Sequence, residues 1–207
     1  MIKTARMLLN ELTSYTNPRG KIKRMADGGQ LTPVTRGLYE TNPSTPGHYL
    51  AGTLYGPSYL SFEFALAWYG LIPEAVYTYT CATCGKGRKK KYETPFGVYM
   101  FRDVPVQAFP YSVDLHAENG YSFMLASPEK AVCDMIYTQS PLANRHDIRN
   151  LLFEDLRIDE SAFRGLNLDD MTELAGLYRT VNHRLLTTMI REMKRHEQHH
   201  RTNAEPA

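Results

Sequence analysis

Residues 55–73 read Y-G-P-S-Y-L-S-F-E-F-A-L-A-W-Y-G-L-I-P, and no other stretch restricts the fold as strongly. Leu60, Phe64, Ala67, Trp68 and Leu71 recur at three- and four-residue steps, which places them on one face of a helix. The opposite face carries Phe62, Ala65, Leu66 and Tyr69, with Glu63 as the single charge, and a helix apolar all round is expected to be buried on both sides. Ser58 or Ser61 is suited to cap its start, while Gly70 and then Pro73 supply a left-handed stop and a block to continuation. This segment is therefore expected to be the core helix of a larger domain, a packing element with no direct chemistry.

The chain around it is 207 residues long, enough for one sizeable core and a small second module. With 43% hydrophobic and 22% charged residues, a disordered or collagen-like chain is excluded. There is no apolar run of about 18 residues to span a membrane, and residues 1–12 lack the apolar core and cleavage site of a signal peptide. Three cysteines make no disulfide framework, so a reducing, cytoplasmic setting is expected.

The net charge of +2 is unevenly divided. Residues 1–40 hold seven bases, Lys3, Arg6, Arg19, Lys21, Lys23, Arg24 and Arg36, against three acids, Glu11, Asp27 and Glu40. That is +4 for the first part and −2 for the remainder, which points to a polyanionic partner for the first part only.

Within this basic part, residues 3–13 carry Ala5, Leu8, Leu9 and Leu12 at helical spacing, with Lys3, Arg6 and Asn10 outward. Asn17 then caps a helix expected over Pro18–Asp27, with proline in its first position and Gly28-Gly29 after it. Ile22, Met25 and Ala26 form the inward face, leaving Arg19, Lys21, Lys23 and Arg24 as a cationic surface. Residues 30–40 alternate as two short extended runs, a hairpin with Arg36-Gly37 near its turn. Helix, short helix, basic helix and hairpin is the order of a winged helix-turn-helix, whose basic helix enters the major groove while the hairpin leans on the backbone or minor groove. A solvated basic face, or a module that makes only protein contacts, fits the same residues.

N-P-S-T-P-G at 42–47 is a turn-rich connector, dividing a module of residues 1–41 from a domain of residues 45–200 and a polar tail of residues 201–207. In that domain, residues 48–55 are expected to be helical and 76–80 a strand. Hairpins are expected from 91–94 with 98–102 and from 113–116 with 121–126. Ser127-Pro128-Glu129-Lys130 is a helix start, with Ala131, Val132, Met135 and Ile136 inward, and further helices are expected near 146–156, 169–178 and 181–195. Strands around one buried helix, closed by a helical layer, make the class α+β.

Candidate chemistry is sparse. Cys81-Ala-Thr-Cys84 has the spacing of half a zinc knuckle, but Cys133 is the only other cysteine and no second pair exists. Lys86, Arg88, Lys89, Lys90 and Lys91 form a mobile cationic loop, a solvated tip or a second polyanion contact, without the spacing of a phosphate-binding loop. Glu129-Lys130 after Asp114 approaches nuclease carboxylate patterns, but those separate Glu from Lys by one residue, and helix capping accounts for the pair. His196, His199 and His200 read as part of a polar end segment. No hydrolase or metalloprotease signature is present, so no enzymatic activity and no cofactor are expected.

Taken in order, G-L-Y-E-T (37–41), Y-G-P-S-Y-L-S-F-E-F-A-L-A-W-Y-G-L-I-P-E (55–74), V-Y-T-Y-T (76–80), F-R-D-V-P (101–105) and A-S-P-E-K-A-V-C-D (126–134) resemble the AbiEi family of abortive-infection antitoxins. The resemblance covers most of residues 18–137. It implies a bacterial type IV toxin-antitoxin protein whose winged helix represses its own operon at promoter repeats, and whose C-terminal domain counters a nucleotidyltransferase-like toxin of the AbiEii type encoded beside it. Carried over by position, Pro18–Asp27 is the recognition helix, residues 32–36 are the wing, and the antitoxin domain begins near Thr45. The segment ahead of Pro18 is short for such a domain, which implies a reduced first helix. On this reading Arg19, Lys21, Lys23, Arg24 and Arg36 meet phosphates or base edges of promoter DNA, with Asn17 and Thr35 as polar helpers. The rival readings are an interaction-only protein that neutralises its partner without DNA, and a nucleic-acid-processing enzyme with a zinc or carboxylate site.

Overall fold

The structure is a computed structural model; it describes the backbone of residues 1–202 and the side chains of residues 1–196. The chain begins with β1 (Ile2–Thr4), α1 (Ala5–Glu11), α2 (Pro18–Asp27), β2 (Thr32–Thr35) and β3 (Leu38–Glu40). Local chemistry sets these limits. The Thr4 hydroxyl caps α1 by accepting from the Met7 N–H at 3.2 Å, and Asn17 Oδ1 caps α2 by accepting from the Gly20 N–H at 2.9 Å. Gly37, at φ 79°, closes the β2–β3 hairpin.

The helix expected over 3–13 is shorter than that. Residues 2–4 are extended and pair antiparallel with β3, giving a three-stranded sheet ordered β1-β3-β2. Backbone groups of Ile2 to Thr4 find partners on the open edge of β3, an option that helical spacing cannot reveal. Two helices, not three, therefore precede the hairpin. The two faces of this small sheet serve different cores. Leu8, Ile22 and Leu31 form a small core against which Tyr39 packs, whereas Val34 and Leu38 belong to the large core. Glu40, buried, accepts from Tyr121 Oη at 2.9 Å and from the Asn42 N–H at 2.9 Å, a second tie between hairpin and body.

Beyond the connector, a 3-10 turn (Gly47–Leu50) runs into α3 (Ala51–Leu54). There follow β4 (Tyr59–Leu60), α4 (Phe62–Trp68), β5 (Thr78–Thr83), β6 (Lys90–Thr94), β7 (Gly97–Asp103), β8 (Val113–Glu118) and β9 (Tyr121–Ala126). These strands make one mixed sheet ordered β6-β7-β5-β4-β9-β8, parallel at β5–β7 and β4–β9 and antiparallel elsewhere. The class is α+β. Both expected hairpins are present, and the strand expected over 76–80 lies two to three residues later.

The expected core helix is corrected in three respects. Its first turn is the strand β4, because Leu60 pairs with Cys81 on one side and Leu125 on the other and so completes the middle of the sheet. A short apolar run carries no signal that separates such a strand from a helix. Ser61 does not cap the helix; its hydroxyl donates to Asp134 at 2.6 Å, and the buried Ser58 hydroxyl has no partner among the described residues. Trp68, placed inside by periodicity, is 44% exposed at the C-terminal end of α4. Phe62, Ala65 and Leu66 are fully buried, and Gly70 at φ 69° ends the element.

The helical layer consists of α5 (Pro128–Tyr137), α6 (Arg145–Asn150), α7 (Glu160–Arg164), α8 (Leu168–Tyr178) and α9 (Val181–Thr202). Ser127 caps α5 by accepting from the Lys130 N–H at 3.2 Å. The helix expected over 146–156 changes at Asn150 into a wider π turn over Leu151–Asp155, closed by the Leu156 N–H on the Leu151 carbonyl at 2.9 Å. α7 has no counterpart in the sequence pattern; Asp159 caps it at 2.7 Å. α9 runs to Thr202, through the start of the expected polar tail; residues 203–207, and the side chains of His199 and His200, lie outside the described residues.

One polar cluster holds this layer to the sheet. Asp134 accepts from Tyr59 at 3.0 Å, from Ser61 at 2.6 Å and from Tyr178, while Lys130 Nζ donates to the Ala108 carbonyl at 2.6 Å and Tyr178 Oη at 2.7 Å. Lys130 and Asp134 are 0% exposed, and their charged atoms are 3.4 Å apart. Burial pulls the Lys130 pKa down and the Asp134 carboxylate pushes back. The pair makes no contact with solvent, so its role is to join β4, α5 and α8. Helix capping therefore accounts for only part of what Lys130 does.

Candidate nucleic-acid interface

α2 is held by its inward side chains. Ile22 is buried, with Met25 and Ala26 packed beside it on the small core. That anchoring turns Arg19, Lys23 and Arg24 to solvent, while Lys21 is half-buried with its ammonium 5.4 Å from the centre of the Tyr15 ring. Opposite Ile22 the helical period brings Gly20, Lys23, Arg24 and Asp27 together. At about 1.5 Å per residue α2 is roughly 15 Å long and its basic residues, 19–24, take up about 9 Å of that, which fits within a major groove about 12 Å wide.

Charge is graded along it. Cations and the positive end of the helix dipole occupy the first two turns, and Asp27 ends the outward face with a carboxylate that repels phosphate. An approach by the N-terminal half is therefore favoured. Gly20 matters here as well: a Cβ at this position would lie 2.8 Å from Asn17 Nδ2, so glycine keeps both the cap and the bare backbone on the outward side. Asn17 Oδ1 is occupied by that cap, which leaves its amide NH2 as the part free to meet a ligand.

Lys3 pairs with Glu11 at 2.5 Å, whereas Arg19, Lys21, Lys23, Arg24 and Arg36 have no ion-pair partner among the described residues. Thr35, half-buried, ends β2, and Arg36 is exposed in the turn. The Ala5 N–H donates to the Gly37 carbonyl at 2.8 Å, fixing the hairpin turn against the first turn of α1. The seven residues assigned to DNA thus fall on α2 with its cap and on the hairpin tip, which is tied to the first turn of α1.

The second basic loop is tied down rather than mobile. Lys86 Nζ donates to the Gly56 carbonyl at 3.0 Å and sits 5.0 Å from the Tyr55 ring centre. Lys90 lies over Tyr92, Lys91 pairs with Glu93 at 2.6 Å, and the Gly87 N–H donates to Asp103 at 2.6 Å. Arg88 and Lys89 are the members left exposed without such a contact among the described residues. Cys81 faces the core from β5, its thiol pushed up by burial and 3.5 Å from the Tyr79 carbonyl, while Cys84 lies half-buried just past the strand. No group of three or more His, Cys, Asp and Glu side chains is placed to hold a metal ion among the described residues.

Sequence reasoning missed two groups. Lys130 and Asp134 were signalled by an acid and a base four residues apart inside an otherwise apolar helix. The second is a set of arginines at the α8–α9 junction, marked by no local motif. No family model matches the chain, and no curated protein matches it. No helix among the described residues is long and apolar enough to cross a membrane.

Proposed function

We propose that this chain is a DNA-binding antitoxin of the AbiEi kind that represses its own operon. The observation that carries the DNA-binding part is the cationic start of α2, capped by Asn17, free of carboxylate partners among the described residues and followed by the Arg36 hairpin tip. In this reading α2 reads the major groove, with Arg19, Lys21, Lys23 and Arg24 on phosphates or base edges, and Arg36 meets the adjacent backbone. The antitoxin part rests on the motif order at 37–134, and its partner is a nucleotidyltransferase-like toxin encoded nearby.

The interaction-only alternative draws support from the hairpin itself, since Val34 and Leu38 pack into the large core and leave the wing less free than an independent module would be. A two-plasmid assay separates the readings. The full chain is expressed with its neighbouring toxin and, separately, with a reporter driven by its own upstream DNA. Growth rescue with reporter silencing supports both activities. Rescue without silencing leaves the interaction-only reading, and silencing without rescue removes the antitoxin role.

A further inference from the structure

The junction between α8 and α9 forms a cavity of about 550 Å³ lined by Arg179, Arg184, Arg191, Thr180, Thr187 and Thr188. Its size falls in the range of small-ligand sites. Among the other arginines of the larger part, Arg102 is matched with Glu63, Arg145 with Glu192, Arg149 and Arg164 with Glu160 and Arg157 with Glu74, while Arg88 and Arg195 have no ion-pair partner among the described residues. The three guanidiniums of this cavity have no hydrogen bond or ion pair among the described residues. Three like charges converging on one concavity without a counter-charge repel one another and call for an anion.

The backbone adds to this. Arg179 ends α8 at φ 55°, a left-handed position where glycine is the least strained residue. Beside it Gly176 keeps the cavity wall bare, and a Cβ there would meet nothing within 4 Å. The hydroxyls differ in kind from the arginines. Thr187 and Thr188 donate to the carbonyls of His183 and Arg184, at 3.1 and 2.9 Å, and Thr180 Oγ1 lies 2.7 Å from His183 Nδ1. His183 Nε2 faces the Cys133 carbonyl at 3.0 Å and so carries the proton, which makes Nδ1 an acceptor and Thr180 the donor. All three hydroxyl protons are committed, and Thr180 Oγ1 already accepts from the His183 backbone N–H at 3.3 Å, so the remaining oxygen lone pairs accept and the arginines donate. A ligand that satisfies both presents oxyanions to the guanidiniums and O–H or N–H groups to the threonines.

We infer that the Arg179–Arg184–Arg191 cavity binds a nucleoside polyphosphate, with phosphates on the arginines and ribose or base donors on the threonine hydroxyls. Charge-assisted contacts from several arginines favour more phosphates over fewer. None of the residues lining the site belongs to α2.

The test is isothermal titration calorimetry of the full chain with ATP, ADP, AMP and inorganic triphosphate, with a thermal melt of every variant. Affinity is expected to fall from ATP through ADP to AMP, with ATP tighter than triphosphate. Arg184→Ala with Arg191→Ala should weaken ATP at least tenfold, and Gly176→Leu should block it without removing a charge. Arg179→Gly should raise the melting temperature while weakening ATP, the signature of a residue kept for its ligand and not for the fold. A duplex carrying the upstream DNA, titrated in parallel, should bind the arginine variants as it binds the wild type. Absence of ATP binding, ATP binding unmoved by these substitutions, or triphosphate as tight as ATP overturns the inference. So does loss of duplex binding in the arginine variants with no ATP binding, which would reassign the cavity to nucleic acid.

Discussion

Replacing Lys130 by methionine is the sharpest probe of how this fold is held. The side chain is 0% exposed and its Nζ reaches the Ala108 carbonyl at 2.6 Å, Tyr178 Oη at 2.7 Å and Asp134 at 3.4 Å. Methionine fills a similar volume, so little of the effect comes from a cavity. What changes is that Asp134 is left in the interior without a counter-ion and the Ala108 carbonyl loses its donor. Removing one member of a buried pair costs about 3–5 kcal/mol. That is a large share of the roughly 5–15 kcal/mol that holds an ordinary domain folded. The three hydroxyls on Asp134, from Tyr59, Ser61 and Tyr178, soften the loss, so the lower end of that range is expected. Lys130→Met with Asp134→Leu removes both charges and should recover part of the stability. Urea unfolding followed by circular dichroism at pH 7 measures this. A Lys130→Met variant within about 1 kcal/mol of wild type, or a double variant less stable than the single one by the full additive amount, would refute the coupled-hub account.

Other expectations follow from particular side chains. Burial depresses the His183 pKa from 6.5 to about 4, so the unfolded chain binds a proton that the folded one refuses between those values. Stability is therefore full above pH 6.5 and declines as pH falls, by about 2 kcal/mol at pH 5; His183→Gln should flatten that slope in urea titrations at pH 5 and 7. Asn17→Ala removes the α2 cap and should cost about 1 kcal/mol in the same unfolding assay, with a weaker hold on the DNA-facing helix. A Cβ on Gly47 would lie 2.3 Å from the Phe96 carbonyl oxygen, so Gly47→Ala should lower the melting temperature by several degrees, on the order of 1–3 kcal/mol of strain.

The parts of the fold legible in sequence are those decided by neighbours along the chain. Asn17, Pro18 and Gly28-Gly29 mark both ends of α2, Asn119-Gly120 marks a hairpin, and Ser127-Pro128 marks α5, because caps and turns are local hydrogen-bond problems. What sequence hid is non-local. Leu60 is in a strand because Cys81 and Leu125 flank it, and Ile2–Thr4 are extended because β3 has a free edge. Trp68 shows the limit of periodicity, since one helix face continues past the point where the core ends. Of the candidate interface, the exposure of Arg19, Lys23 and Arg24 was readable from Ile22, Met25 and Ala26. The pinning of Lys86 by Gly56 and Tyr55 was not, because its partners lie about thirty residues away in the chain.

The central claim is that the start of α2 binds the DNA upstream of this chain's own gene. Fluorescence anisotropy of the full chain on that DNA and on a scrambled duplex, at two salt concentrations, tests it directly, with Lys21→Ala, Lys23→Ala and Arg24→Ala combined as the comparison. Specific binding should survive the higher salt. The triple variant should bind more weakly, with a salt slope shallower by up to about 2.7, roughly 0.9 for each phosphate no longer neutralised. Equal, salt-erased binding to both duplexes, or a triple variant with an unchanged slope, would contradict it.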